Sequence, residues 1–314
     1  MRKWLALTAA GVMALGVAAC GDDEESSGGG GGGGGGDLSG NIRIDGSSTV
    51  QPFAEAAAEL FSEENSGVKV TVGGAGTGDG FEKFCRGETQ ISDASRPIEE
   101  DETKLCEQAN IKPVEVQVAS DGITVVTNKN LKVDCMTTGQ LKKLFGKGAK
   151  ATNLSQAGGN LPDQELALYT PGTESGTFDF FTEQINGEEG VQRTEGIQTS
   201  ADDNVIVQGV SGEPGGFGYA GFSFFEQNQD KLNAVSVDGG DGCIEPTSKT
   251  IQSGEYKPLA RPIFMYPAAK ALQKPEVKAF MEFAIENHTE ISEAANIVPM
   301  SDEQAAESKT KVSG

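Results

Sequence analysis

The chain has 314 residues, 47 of them acidic and 25 basic, for a formal net charge of −22. That balance excludes a nucleic-acid binder, which needs a positive footprint to neutralise phosphates, and it disfavours docking onto anionic lipid. The single histidine, His288, excludes multi-histidine metal sites and most histidine-dependent catalysis, and no motif calls for a cofactor.

Met1-Arg2-Lys3 is a short cationic start, residues 5–17 are apolar and uncharged, and Val17-Ala18-Ala19-Cys20 sets small residues before a cysteine. This is the layout of a lipoprotein signal peptide over residues 1–20, with Cys20 as the lipidated N-terminus. The apolar run is shorter than the roughly 20 residues a membrane span needs. Residues 21–40 follow as an acidic, Ser- and Gly-rich tether that cannot bury apolar surface. The expected place is the outer face of a bacterial cell membrane, in a periplasm or on the cell surface, with the lipid on Cys20 as the membrane contact.

Four cysteines remain, Cys85, Cys106, Cys135 and Cys243, an even number suited to an oxidising compartment. Of three pairings, Cys85–Cys106 with Cys135–Cys243 is preferred because the first pair lies close in sequence. Metal binding by these cysteines has no CxxC spacing to support it.

From residue 41 the chain alternates short strands and amphipathic helices. Residues 41–45 predict a strand and 51–63 a helix, with Phe53, Ala57, Leu60 and Phe61 on one face. Residues 68–73 read as a strand and 81–85 as a short helix. Strands at 114–118 and 123–128 precede a helix at 138–145, and a strand at 166–170 leads to a helix at 178–185. Val277, Phe280, Met281 and Ala284 mark a late helix face. The alternation predicts an α/β fold with largely parallel sheets, in two lobes.

Three connections carry most of the functional information. Asp45-Gly46-Ser47-Ser48-Thr49-Val50, Gly73-Gly74-Ala75-Gly76-Thr77-Gly78-Asp79-Gly80 and Pro171-Gly172-Thr173-Glu174-Ser175-Gly176-Thr177 each join a strand to a helix. Each offers unpaired N–H groups and hydroxyls where the helix dipole favours negative charge. The second is neither a dinucleotide loop nor a phosphate loop of the Gly-Lys-Ser/Thr type, because its glycines simply alternate. A fourth segment, Asp93-Ala94-Ser95-Arg96-Pro97, brings a guanidinium to a strand's carboxyl end, where it can fork onto an oxyanion. Together they predict an anion pocket between lobes.

At these residues the chain resembles the phosphate-binding proteins of Pst-type ABC transporters. The matching stretches are residues 45–52, 74–85, 88–98, 120–128, 169–183, 202–210 and 258–266, and they include GTESGTFDFF and ASRPI. The resemblance implies a two-lobed periplasmic-binding-protein fold with hinge strands, a monomer that closes on one inorganic phosphate and delivers it to permease subunits without catalysis. It assigns Ser48, Thr49 and Thr77 to phosphate from one lobe and Ser175, Gly176 and Thr177 from the other, while Ser95 and Arg96 are candidates from the fourth segment itself. Many relatives carry an arginine where this chain has Pro171 and an aspartate where it has Arg96, so Arg96 is expected to supply the pocket's cation. Phosphate near neutral pH retains a proton that sulfate lacks; Asp93 and Asp121 are the candidate acceptors for it. The family plan implies a first lobe of residues 41–124 and 262–314 and a second of 125–261.

Other classes stay open on sequence alone. A receptor for sulfate or an organic phosphate would use the same turns. A secreted phosphatase or hydrolase would need Ser175 and His288 together, and an adhesive surface protein would bind no small anion.

Overall fold

A computed structural model of the chain describes residues 38–173 and 175–314; the segment read as a signal peptide with Cys20, the segment read as a tether as far as residue 37, and Glu174 lie outside the described residues. In chain order the first part comprises β1 (Gly40–Gly46), α1 (Gln51–Glu64), β2 (Val68–Val72), α2 (Thr77–Cys85), β3 (Ile91–Ala94) and α3 (Glu100–Gln108). There follow β4 (Val116–Asn128), β5 (Cys135–Thr137), α4 (Thr138–Phe145), β6 (Ala167–Pro171), α5 (Gly176–Phe181), β7 (Ile197–Ser200), α6 (Asp203–Gly212) and β8 (Gly216–Gly221). The remainder is α7 (Phe222–Glu226), β9 (Leu232–Asp238), β10 (Cys243–Ile244), α8 (Ser248–Gln252), β11 (Ala260–Pro267), α9 (Pro275–Glu286), α10 (His288–Ala294), β12 (Val298–Pro299) and α11 (Asp302–Ser313).

The strands form two lobes. In the first, β1 pairs in parallel with β2 and β3, and β11 adds to β3 antiparallel. In the second, β6 pairs in parallel with β7 and β8. β4 joins them: Val116 to Gly122 pair with β11, and Ile123 to Asn128 pair with β8 and β9, all antiparallel. The sheets are therefore mixed rather than largely parallel, since the crossing strands enter against the direction of their neighbours.

Each lobe has its own core. Phe53, Ala57 and Phe61 of α1 bury the predicted face against Ile42, Val118 and Phe280, with Leu60 packed at its margin. The second core gathers Leu141 and Phe145 of α4 with Val125, Phe181 and Tyr219, the last two stacked at 3.7 Å between ring centroids. A fully buried Phe or Tyr contributes roughly 1.5–3 kcal/mol by area removed from water, so each lobe has enough apolar surface to hold its shape.

Two expectations are corrected. The strands read at 114–118 and 123–128 are one 13-residue strand, β4. Asp121-Gly122 looks like a turn, but Asp121 pairs with Arg261 and Gly122 with Ala260 in the ladder, which keeps the backbone extended. The second helix begins at Thr77, four residues before the predicted start, despite its glycines. Gly80 is required there: a Cβ would lie 2.4 Å from the Cα of Gly46. Close packing of α2 on β1 thus outweighs glycine's helix penalty of about 1 kcal/mol. Residues 178–185 are helical as expected, but the helix changes to a π turn over Thr182–Asn186. The disulfides are Cys85–Cys106 and Cys135–Cys243, as preferred from sequence.

Candidate functional site

The strand-to-helix turns meet in a cleft of about 900 Å³. In the first turn Ser47 is the structural residue: its N–H donates to the Asp93 carbonyl (2.9 Å), and its carbonyl accepts from Val50 and Gln51. Its hydroxyl accepts from the Thr49 N–H (3.2 Å), so the buried Ser47 shapes the turn ahead of α1 while Ser48 and Thr49 line the cleft beside it.

The second turn is pinned from below. Gly76 N–H donates to Gly46 O (2.8 Å), and Ala75 N–H donates to the Asp45 carboxylate (3.1 Å). Burial pushes the Asp45 carboxyl upward, but its bonds with Lys83 and with the Ala75 and Gly46 amides outweigh this and hold it below the ordinary range. The α2 N-terminus has no side-chain cap, and Gly76 takes φ +105° with open space where a side chain would be. The first amides of α2 are left without helical acceptors, an anion-favouring arrangement. Thr77 bonds Ser95 at 3.2 Å between hydroxyl oxygens, joining the second and fourth segments.

From the other lobe comes α5. Ser175 caps it, accepting from Thr177 N–H (3.2 Å), and neither Ser175 nor Thr177 belongs to the cleft wall. Gly176 does. A Cβ there would lie 2.5 Å from Thr49 Oγ1 and 3.4 Å from Ser48 Oγ, so the two lobes meet at this glycine. Gly176, Asp179, Phe180 and Glu183 follow at helical spacing along the wall.

The cations divide differently from the sequence expectation. Arg96 lines the cleft, yet its two terminal nitrogens contact Glu102 at 2.9 and 2.8 Å, and its Nε faces Glu99 at 3.2 Å. Glu102 also accepts from the Glu99 N–H in the capping box of α3, so Arg96 is tied to that helix start. The guanidinium at the meeting point of the lobes is Arg261, at the start of β11. It donates from Nη2 to Thr49 Oγ1 (2.8 Å) and from Nε and Nη2 to Asp121 Oδ2 (3.2 Å each), and it lies 3.8 Å over the Phe180 ring. Burial pushes its pKa down, opposed chiefly by Asp121; an arginine nonetheless stays charged.

The candidate acceptors also separate. Asp121 is the counter-ion of Arg261 and is 7% exposed. Asp93 is fully buried, with no hydrogen-bond partner on either oxygen among the described residues. Burial, reinforced by Asp45, drives its carboxyl well above the ordinary range and favours the neutral acid. Neither belongs to the cleft wall, whereas Asp179 does; burial raises its carboxyl, Glu189 adds to the rise, and Arg261 opposes it. His288 lies on α10 outside the cleft wall, so it does not join Ser175 in a catalytic pair.

Comparison with known proteins agrees with this architecture. The PBP superfamily domain matches residues 32–288. Protein SphX of Synechococcus elongatus is 42% identical over 262 residues, covering 82% of this chain and 77% of that protein. The phosphate-binding protein PstS of Staphylococcus epidermidis is 38% identical over 303 residues, covering 95% of this chain and 89% of its own. Among solved structures, a possible phosphate-binding protein from Planctomyces limnophilus superposes with TM-score 0.82 at 39% identity, covering 88% of this chain and 98% of that one. A phosphate-bound structure from Clostridium perfringens, assigned as a phosphate ABC transporter substrate-binding protein, gives TM-score 0.57 at 29% identity over 83% of this chain and 100% of its own. With a shared two-lobed fold and identity along nearly its whole length, the chain belongs to the PBP superfamily, within the family of PstS phosphate-binding proteins.

Proposed function

We propose that the chain is an extracytoplasmic receptor that captures inorganic phosphate in the inter-lobe cleft and delivers it to the permease of an ABC transporter. In this reading it acts as a monomer, is anchored by lipid on Cys20, and is a binding protein rather than an enzyme. The observation that carries it is the convergence of Ser48, Thr49, the α2 amides, Gly176 and the Arg261 guanidinium on one cleft. Hydroxyls, helix-start amides and one buried fork make a donor-rich site for a tetrahedral oxyanion. Names of relatives at 38% identity and a phosphate-bound neighbour support phosphate as that oxyanion.

Arg261 supplies the cation and Asp121 and Phe180 hold it in place. Thr77 and Ser95 contribute from the first lobe, with Ser175 and Thr177 shaping the α5 start. Asp179, the wall carboxyl that feels the Arg261 charge, accepts a hydrogen bond from the protonated ligand oxygen. Residues 41–124 with 262–314, and 125–261, are the two bodies that close.

Titration calorimetry of the full chain tests this directly. Phosphate should bind with one site per chain and sulfate much more weakly. Absence of phosphate binding, or tighter sulfate binding, overturns the assignment.

A further inference from the structure

A second concavity, of about 660 Å³, opens at the C-terminal end of α4 and shares no wall residue with the cleft. Its wall carries Lys142, Lys143, Lys147 and Lys150, in a chain where acids outnumber bases 47 to 25. Glu188 is the carboxylate on that wall, and none of the four lysines forms an ion pair among the described residues. Lys142 and Lys143 stand in the last turn of α4, where the helix dipole accounts for them. Lys147 and Lys150 lie beyond the helix, where that effect has faded.

The loop bearing these lysines is held from beneath by a further cation. Arg193 is 5% exposed, and its Nη1 donates to Leu144 O (3.1 Å) and Ala151 O (2.9 Å), one carbonyl on each side of the loop. Its own N–H donates to Phe145 O (2.9 Å), and its Nε donates to Glu195 O (2.8 Å). Every one of these contacts is to a backbone carbonyl, and Glu195 is the acid whose charge acts on the guanidinium, so Arg193 serves to fix the loop. Lys143 Nζ donates to Ala157 O (3.0 Å), fixing one lysine; Lys142, Lys147 and Lys150 are exposed. A pinned loop thus sets four lysines on the wall of one concavity, where an anion long enough to span it meets several of them at once.

We infer that this concavity is a second anion site, and that its ligand is a linear oligophosphate. A single phosphate would gain little from any one exposed ammonium, because isolated surface ion pairs contribute about 0–1 kcal/mol. An oligophosphate carries charge at every link and engages several lysines through one binding event. An acidic peptide spaces its charges by roughly 3.5 Å or more per residue and must also order its side chains.

Calorimetry of the full chain in excess orthophosphate, with tripolyphosphate as the titrant, tests the site while the cleft is saturated. The wild type should bind tripolyphosphate, and Lys142→Ala/Lys147→Ala/Lys150→Ala should bind it at least about tenfold more weakly. Arginine at the same three positions should restore binding, and raising salt toward about 0.5 M should abolish it. The inference is overturned if tripolyphosphate gives no heat at low salt, if the triple alanine variant binds it unchanged, or if poly-glutamate binds equally well. Because the readout is tripolyphosphate and the variants lie outside the cleft, a failure here is distinct from a failure of the orthophosphate titration.

Discussion

Arg261 shows how one side chain can organise a pocket. It is 140 residues from Asp121 and 212 from Thr49 in sequence, so nothing local to Ala260-Arg261-Pro262 marks it as a partner of either. Sequence reasoning found the hydroxyl turns, because Ser, Thr and Gly before a helix are a local pattern. It missed Arg261, because an ion pair across a β ladder depends on which strands become neighbours. Arg96 had a local pattern too, but the capping box of α3 lies close enough to engage it. Arg261→Ala should weaken phosphate binding by roughly 30- to 1,000-fold, the range for removing one buried charged partner. It should also lower the melting temperature by leaving Asp121 buried without its cation, and adding Asp121→Asn should recover stability but not binding. Phe180→Leu should weaken phosphate roughly tenfold through loss of the cation–π contact, while Phe180→Tyr retains it. A second carboxyl offers a pH test away from the cleft. Burial, with Asp202 adding to it, raises the Asp203 pKa to about 6, and its Oδ1 has no partner among the described residues. A raised folded-state value means that its stabilisation is complete below the unfolded pKa, near 3.8, and is lost as pH rises through about 6. Asp203→Asn should therefore melt higher than the wild type at pH 8, by about 1–3 kcal/mol, and equally at pH 4, as thermal unfolding across pH would show.

At the scale of elements, the hydrophobic periods of α1, α4 and α9 were legible because a 3.6-residue period is written into each segment. The glycines were harder to read. Gly80 sits inside a helix because β1 passes against it, and Gly176 is small because Thr49 arrives from the other lobe. Neither neighbour is visible from local sequence. Gly176→Ala should push Thr49 aside, disturb its bond to Arg261, and weaken phosphate at least about tenfold with little change in melting. The disulfides belong to this scale as well. Cys85–Cys106 closes 21 residues and ties α2 to α3; Cys135–Cys243 closes 108 and ties β5 to β10. By loop length their removal costs about 3 and about 4–5 kcal/mol respectively. Denaturant unfolding of Cys135→Ser/Cys243→Ser should show the larger loss.

Over the whole molecule, net charge and local chemistry point in opposite directions. A formal charge of −22 describes the surface, while the cleft wall sets helix-start amides and the Arg261 guanidinium beside a few carboxylates of its own, Asp179 and Glu183 among them. Carboxylates farther than about 8 Å are screened at physiological salt, so phosphate affinity should change little between low and high salt. The exposed lysine loop should behave in the opposite way, and titrations of the two anions across ionic strength would separate them. Two lobes and a crossing near residue 124 could be read from sequence and family likeness; that the crossing is one unbroken strand, β4, could not. Asp121 and Arg261 face each other on β4, the strand that pairs into both lobes, and β11, which lies along its first-lobe half. They therefore sit beside the point where β4 passes from one lobe to the other, and in the proposed receptor that is where opening would displace atoms least. In the proposed function, an arriving anion would meet the Arg261 charge where it already stands, and the hydroxyls and amides of the turns at Ser48 and Gly176 would complete its shell.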